Sequence, residues 1–233
     1  MSLLIEIFKD FFSLFLPSKC LICGLGLQNF EKHVCKSCLV KIPKTGFQNF
    51  DENPVSQAFW GRVNLEKAFA FYYFHKGSVL QDLIHEIKYN GLKELAYELG
   101  KEIGFGIKKS TTAHSFDMIV PVPLHPLKEK KRGYNQSEWI AKGIGEVLNI
   151  SVDKKSLVRK IYTATQTKKN RIQRWENVKD AFFISNSKYL ENRHIALVDD
   201  VITTGATLEA CAAKILEIKG SRVSVVALAF ASD

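Results

Sequence analysis

Residues His194 to Thr207 read His-Ile-Ala-Leu-Val-Asp-Asp-Val-Ile-Thr-Thr-Gly-Ala-Thr, and each part of the stretch has chemistry of its own. Asp199 and Asp200 are adjacent carboxylates, acceptor-only groups that suit a pair of hydroxyl donors. Thr203, Thr204, Gly205, Ala206 and Thr207 are small or hydroxylated, and they open a helix predicted from about Leu208 to Lys219. The backbone N–H groups at such a helix start, with a glycine that lets the chain close in, form an anion cradle whose best-fitting guest is a phosphate. Ahead of them, the apolar run Ile195 to Val198 is hydrophobic on both faces and bounded by charge, so it reads as a buried parallel strand. Its C-terminal end, where the carboxylates lie, is where open α/β sheets bind ligands. A plain strand-turn-helix corner with solvated acids is the bland alternative, and it accounts less well for so long and ordered a stretch.

A second chemical cluster is formed by cysteines. Cys20-x-x-Cys23 and Cys35-x-x-Cys38 are two knuckles that together supply four thiolates, the donor set of a tetrahedral structural zinc site. Gly24 follows the first knuckle and Gly26 comes two positions later, where a tight turn aims N–H groups at sulfur. Two disulfides are the competing account, and a reducing cytosol disfavours them. The fifth cysteine, Cys211, stands among Ala210, Ala212 and Ala213 and reads as a small packed hydrophobe.

The elements that position these groups follow from the hydrophobic pattern. At 233 residues, the chain suits one catalytic-size domain with an appendage. Residues 1–17 are predicted to form an amphipathic helix, with Ser2, Glu6, Lys9, Asp10 and Ser13 on one stripe; it is too short and too charged to span a bilayer, and is expected to dock on its own protein or on a membrane surface. Residues 18–48 are the zinc ribbon, and 49–66 a connector anchored by Phe59 and Trp60. The main domain covers 67–233. Within it, Ala68 to Phe74 reads as a strand, and Leu80, Leu83, Ile84 and Ile87 stripe a helix that ends at Lys88-Tyr89-Asn90-Gly91 with a left-handed cap. A second helix runs through Leu95, Leu99 and Ile103.

The next strand, Met118 to Val122, enters Pro121-Val122-Pro123-Leu124-His125-Pro126, whose prolines stop it and stiffen the loop. Lys128, Lys130, Lys131 and Arg132 follow, and Asn135 can cap the helix that carries Trp139, Ile140, Ile144 and Val147. His125 either contacts a ligand or caps the turn. Fourteen Lys or Arg against six Asp or Glu lie between Val120 and Asp180, almost the whole of the chain's net charge of +9. Such a local excess calls for a polyanion, either a pyrophosphate or a nucleic-acid backbone. Tyr162 and Trp175 offer stacking faces for the latter.

The His194–Thr207 stretch resembles the phosphoribosyl pyrophosphate (PRPP) signature of type I phosphoribosyltransferases. That resemblance implies that Asp199 and Asp200 hold the ribose hydroxyls at the reacting sugar, and that Thr203, Thr204, Gly205, Ala206 and Thr207 wrap the 5′-phosphate. It also implies that Pro123, Leu124, His125, Lys128 and Arg132 belong to a pyrophosphate loop, and that Gln166, Arg171 and Arg174 belong to a hood that closes over PRPP.

Together with Pro-Val-Pro-Leu-His-Pro, Arg-Gly-Tyr-Asn-Gln, the cysteine knuckles, and Thr165-Gln166 with Arg171, Arg174 and Asn177, these motifs make the chain similar to the ComF family from Leu14 to Ala229. Those are bacterial proteins associated with natural transformation and DNA uptake. The implied fold is α/β, a type I phosphoribosyltransferase fold with a mainly parallel sheet flanked by helices, carrying an N-terminal zinc ribbon. The implied function is Mg²⁺-dependent binding of PRPP and transfer of its phosphoribosyl group, in a cytoplasmic protein that works with the competence DNA-uptake machinery. Peripheral contact with the inner face of the membrane would run through the N-terminal helix. The alternative is a non-catalytic protein that handles single-stranded DNA and takes PRPP as a regulatory ligand.

Overall fold

The computed structural model describes residues 18–29, 31–111, 115–162 and 180–231. The expected N-terminal helix and the hood residues Gln166, Arg171 and Arg174 lie outside the described residues. The chain divides into two compact units between Pro43 and Lys44.

Among its described residues, the first unit has a pair of turns joined to one short helix, α1 (Lys36–Lys41). A bridge between Lys19 and Gly26 closes the first turn, in which the Cys20 N–H donates to the Leu25 carbonyl and Gly24 adopts φ +71°. Cys35 stands at the N-terminal end of α1. The predicted ribbon ran to residue 48, but the residues after Pro43 run with the second unit: Lys44 bridges Tyr72, and the Thr45 N–H donates to the Phe71 carbonyl. A stretch that hydrogen-bonds to a core strand belongs to that strand's domain.

In the second unit a short helix, α2 (Pro54–Gln57), leads to β1 (Ala68–Phe74), α3 (Val79–Tyr89) and α4 (Lys93–Lys108). Then come β2 (Met118–Pro121), α5 (Pro126–Arg132), α6 (Gln136–Leu148), β3 (Leu157–Arg159), β4 (Phe182–Ile184), β5 (His194–Ile202), α7 (Ala206–Leu216) and β6 (Arg222–Ala231). Four strands form one parallel sheet in the order β1-β6-β5-β2, flanked by helices, as the motifs implied. β3 and β4 pair antiparallel as a separate ribbon. Because β5 has a neighbour on each side, its apolar residues Ile195 to Val198 are fully buried.

Register explains how a site opens at the end of β5. β2 stops at Pro121 opposite Val198, whereas β6 accompanies β5 as far as Ile202. Asp199 and Asp200 therefore lie within the strand rather than after it. One side of them is paired, and the other is the gap left where β2 turns away.

The caps are local and largely as expected. Asn135 accepts from the Ser137 N–H, Ser78 from the Gln81 N–H, and Gly91 takes φ +79° beyond α3. α7 starts two residues earlier than predicted because Gly205, at φ +74°, forms its N-terminal cap. The connector is no loose linker. The Asn53 amide caps α2 and also donates to the Ala68 carbonyl, and Phe59 is buried while Trp60 is exposed.

α4 and α6 meet with their backbones in direct contact. A Cβ on Gly143 would lie 2.1 Å from the Tyr97 carbonyl oxygen, and one on Gly100 would lie 2.2 Å from that of Ile140. Glycine costs helix propensity, on the order of 1 kcal/mol relative to alanine, which the close approach offsets. Gly143→Ala should therefore destabilise the unit by about 1–3 kcal/mol, measured as a lowered denaturant midpoint, because neither backbone can yield without moving a whole helix. An unchanged midpoint would show that this helix contact does not seat α6.

Candidate functional site

The carboxylates at the end of β5 floor a cavity of about 420 Å³. It is lined by Lys88 from the last turn of α3, by Pro123, Leu124, Lys128 and Arg132, by Ser137 at the start of α6, and by Arg159 at the end of β3. Thr203 and Thr207 close the remaining edge. Eight residues singled out from the sequence thus line one space: Asp199, Asp200, Thr203, Thr207, Pro123, Leu124, Lys128 and Arg132.

Burial makes the aspartate pair a problem in electrostatics. Asp199 accepts from the Ser137 hydroxyl at 2.8 Å and from the Asp200 N–H at 2.9 Å. Asp200 accepts from the Val201 N–H at 2.6 Å and faces the Lys88 ammonium at 2.8 Å. Loss of water and the neighbouring Asp200 charge push the Asp199 carboxyl up to about 7, against the two hydrogen bonds and Lys88. Burial alone would lower the Lys88 ammonium; the charge and hydrogen bond of Asp200, with Asp199 behind, outweigh it and raise it above its ordinary value. Asp200 is thereby paired with a cation, and the Asp199 carboxyl titrates near neutrality.

The cations Lys128, Arg132 and Arg159 repel one another. Burial, and then the charges of Arg159 and Arg132, bring the Lys128 ammonium below its usual value. Arg132 is aimed by Gln136, to which it hydrogen-bonds, and by Tyr89, whose ring centroid lies 5.9 Å from the guanidinium carbon. A dianion entering this space would relieve the repulsion.

His125 resolves to the capping alternative and does not line the cavity. Pro126 begins α5, and the free Leu127 N–H needs an acceptor, which His125 Nδ1 supplies at 3.2 Å; its Nε2 lies 3.2 Å from the Lys160 carbonyl oxygen. Thr204, Gly205 and Ala206 make the turn rather than the cavity wall. The Arg62 guanidinium holds that turn by donating to the Thr204 carbonyl at 3.2 Å and pairing with Glu209 on α7, while the Phe59 ring closes on Gly205, where a Cβ would lie 3.0 Å away.

Lys88, Ser137 and Arg62 were not singled out by sequence reasoning, and Arg159 entered only as one cation of the basic stretch between Val120 and Asp180. Lys88 stood in a helix-ending motif and Ser137 after a cap. Each reaches the site only through folding.

The four cysteines of the first unit form a second site. Their sulfur atoms lie within 4.8 Å of one another, and all are free thiols. Cys23 and Cys35 Sγ are 3.8 Å apart, close to the edge of about 3.8 Å in a tetrahedron of Zn–S bonds of about 2.3 Å. Cys20 Sγ accepts from the Ile22 N–H at 3.4 Å and the Cys35 N–H at 3.3 Å. Burial opposes ionisation there, but those N–H groups and that of Cys23 outweigh it and lower the thiol to about 6. The set fits a thiophilic divalent metal.

Because the folded Asp199 carboxyl binds its proton more tightly than an unfolded one, the native state loses stability as pH rises from about 4 to about 7, and the loss is complete above that. Asp199→Asn removes the burden. Its melting temperature should exceed the parent's at pH 8, by a stabilisation of a few kcal/mol at most, and the gain should shrink toward pH 5. A gain independent of pH would assign the effect to packing instead.

No family model matches the chain. Among curated proteins it is similar to DNA utilization protein YhgH of Escherichia coli strain K12, 31% identical over 149 residues that cover 63% of this chain and 65% of that protein. It is also similar to competence protein F of Haemophilus influenzae, 28% identical over 190 residues, 80% of this chain and 73% of that one. Competence protein ComFC of Bacillus subtilis is 28% identical over 63% of this chain and 57% of its own length. The chain therefore spans just under two thirds of the E. coli relative. Solved structures that superpose include glutamine PRPP amidotransferase from B. subtilis, with TM-score 0.39, 19% identity and coverage of 57% of this chain and 26% of that one. Another is a hypoxanthine phosphoribosyltransferase from Staphylococcus aureus, with TM-score 0.37, 14% identity and coverage of 66% and 71%. On sequence, the chain is similar to competence protein F, ComFC and DNA utilization protein YhgH, in line with the resemblance of its own motifs to the ComF family.

Proposed function

We propose that the chain binds PRPP with Mg²⁺ and transfers the phosphoribosyl group to a nucleophile, in the service of DNA uptake or utilisation. The observation that carries this reading is the convergence of Lys88, Lys128, Arg132 and Arg159 with Asp199 and Asp200 on one cavity at the C-terminal edge of a parallel sheet. The cations match a pyrophosphate and the carboxylates match vicinal hydroxyls. The turn from Thr203 to Thr207 offers backbone N–H groups to a terminal phosphate, with Arg62 and Phe59 holding its shape.

Each wall then has a part in the transfer. Lys128, Arg132 and Arg159 offset the negative charge that grows on departing pyrophosphate. The Asp pair lies where the ribose carbon becomes oxocarbenium-like, and Ser137 orients Asp199 through its hydroxyl. Mg²⁺, when bound, supplies further neutralisation of pyrophosphate and ribose oxygens. Gln166, Arg171 and Arg174 are assigned to the closing hood on the family resemblance.

The exposed face beside the cavity favours a second reading, in which PRPP regulates a protein that grips single-stranded DNA. Tyr162 is half exposed, with the Lys128 ammonium 5.6 Å from its ring centroid, and the Lys160 ammonium lies 5.0 Å from that of Phe183. Aromatic faces interleaved with cations hold bases and phosphates at once. In the first unit we assign the metal as structural zinc, one per chain, held by Cys20, Cys23, Cys35 and Cys38. Among the described residues no helix is long and apolar enough to cross a membrane.

PRPP with Mg²⁺ should raise the melting temperature, since a ligand that binds only the native state stabilises it, and the double variant Asp199→Asn/Asp200→Asn should abolish that shift while remaining folded. Pyrophosphate release, assayed with a panel of nucleobases, amines and single-stranded DNA, separates transfer from sensing. A melting shift that survives in the double variant would overturn the ribose assignment.

Metal analysis should give about one zinc per chain, and replacing any one of the four cysteines by serine should release it and unfold the first unit, which is too small for a core of its own. Absence of zinc from protein purified without chelator, or two native disulfides by mass spectrometry, would refute that assignment.

A further inference from the structure

Lys88 is the cation in the cavity that the motifs did not point to, and its position differs from the others. It extends from the last turn of α3 to within 2.8 Å of Asp200 Oδ2, with its side chain one-quarter exposed and that of Asp200 one-tenth. The same cavity is lined by Lys128 and Arg132. The ammonium thus touches an anion it already neutralises and lines the space in which a second anion would sit. An ammonium has three donors and no acceptor, so contact with one carboxylate oxygen leaves it able to engage a phosphate oxygen as well.

The Asp200 carboxylate is correspondingly encumbered. Its Oδ1 accepts from the Val201 N–H, and its Oδ2 faces the ammonium. A ribose hydroxyl seeking an acceptor there competes with a full positive charge for a buried oxygen. A hydroxyl alone is a weak competitor, whereas a pyrophosphate beside it offers the ammonium another partner of opposite charge.

We propose that Lys88 is a ligand-specificity residue that couples the two ends of the substrate: pyrophosphate draws its ammonium from Asp200, and the freed carboxylate oxygen then accepts a ribose hydroxyl. The inference rests on the PRPP reading above and deepens it. Its consequence is discrimination between sugar phosphates that share the same ribose and the same 5′-phosphate. PRPP opens Asp200 for itself. Ribose 5-phosphate, lacking pyrophosphate, meets a carboxylate that stays closed. The repulsion that Arg132 exerts on Lys88 works in the same direction, because a pyrophosphate between them removes it.

The test compares affinities of the full chain for PRPP and for ribose 5-phosphate by calorimetry, at equal Mg²⁺, in the parent and in Lys88→Met, Lys88→Gln and Lys88→Arg. Lys88→Met should weaken PRPP by roughly tenfold to hundredfold, the worth of a hydrogen bond to a charged group. It should leave ribose 5-phosphate unchanged or tighter, so that the preference for PRPP collapses. Lys88→Arg should restore that preference. Melting without ligand checks that each variant folds, and Lys88→Gln supplies the uncharged comparison where Lys88→Met does not fold. An equal loss for both sugars would make Lys88 a structural prop, and no change in either would remove it from the site; both results overturn the coupling while leaving PRPP binding by the parent intact. Failure of the parent to bind either sugar would instead bring down the PRPP reading, and the coupling with it.

Discussion

Two adjacent carboxylates buried at the end of a central strand impose the constraint around which this site is arranged. Side by side and shielded from water, Asp199 and Asp200 cannot both hold a charge without help. The fold supplies help of two kinds. Lys88 provides a full opposite charge for Asp200, and the Ser137 hydroxyl provides a hydrogen bond for Asp199. Removing either partner leaves a buried group uncompensated, which is why the site depends on where α3 ends and where α6 begins.

Those two helices are placed by different means. α3 follows β1 through the Ser78 cap and stops at the left-handed Gly91, a length that leaves Lys88 on its final turn. α6 is held against α4 by glycines whose missing side chains let the helices touch, and its first turn then presents Ser137 to β5. The turn from Thr203 to Thr207 has a separate brace. Arg62 and Phe59, from the segment ahead of β1, secure Thr204 and Gly205 across the start of α7. A larger hollow of about 630 Å³ along residues 51–68 lacks comparable convergence, since its cations Arg62 and Lys67 already pair with Glu209 and Asp51.

Much of this was legible from residue order alone, because the relevant physics is local. The buried run before Asp199, the proline stop after β2, the Asn135 and Gly91 caps and the four-cysteine set each depend on a few neighbouring residues. Boundaries were less legible: β5 runs on to Ile202 because β6 continues beside it, and Lys44 leaves the cysteine unit because Tyr72 pairs with it. Both outcomes are set by a strand distant in sequence.

By itself, the sequence determined the chemical inventory: two carboxylates after a buried strand, a small hydroxylated turn, a basic loop and four thiols at knuckle spacing. Only the tertiary structure decided which members of that inventory share a space, and in what state. It seated His125 as a helix cap, brought in Lys88 from a helix end that carries no signature, and picked Arg159 out of the basic stretch. It also gave the two aspartates different partners, a cation for Asp200 and a hydroxyl for Asp199, and pushed the Asp199 carboxyl up. The reason is that capping and strand burial act within a few residues, whereas a carboxyl's charge depends on every ion and every water within several ångströms, and the fold alone chooses those neighbours.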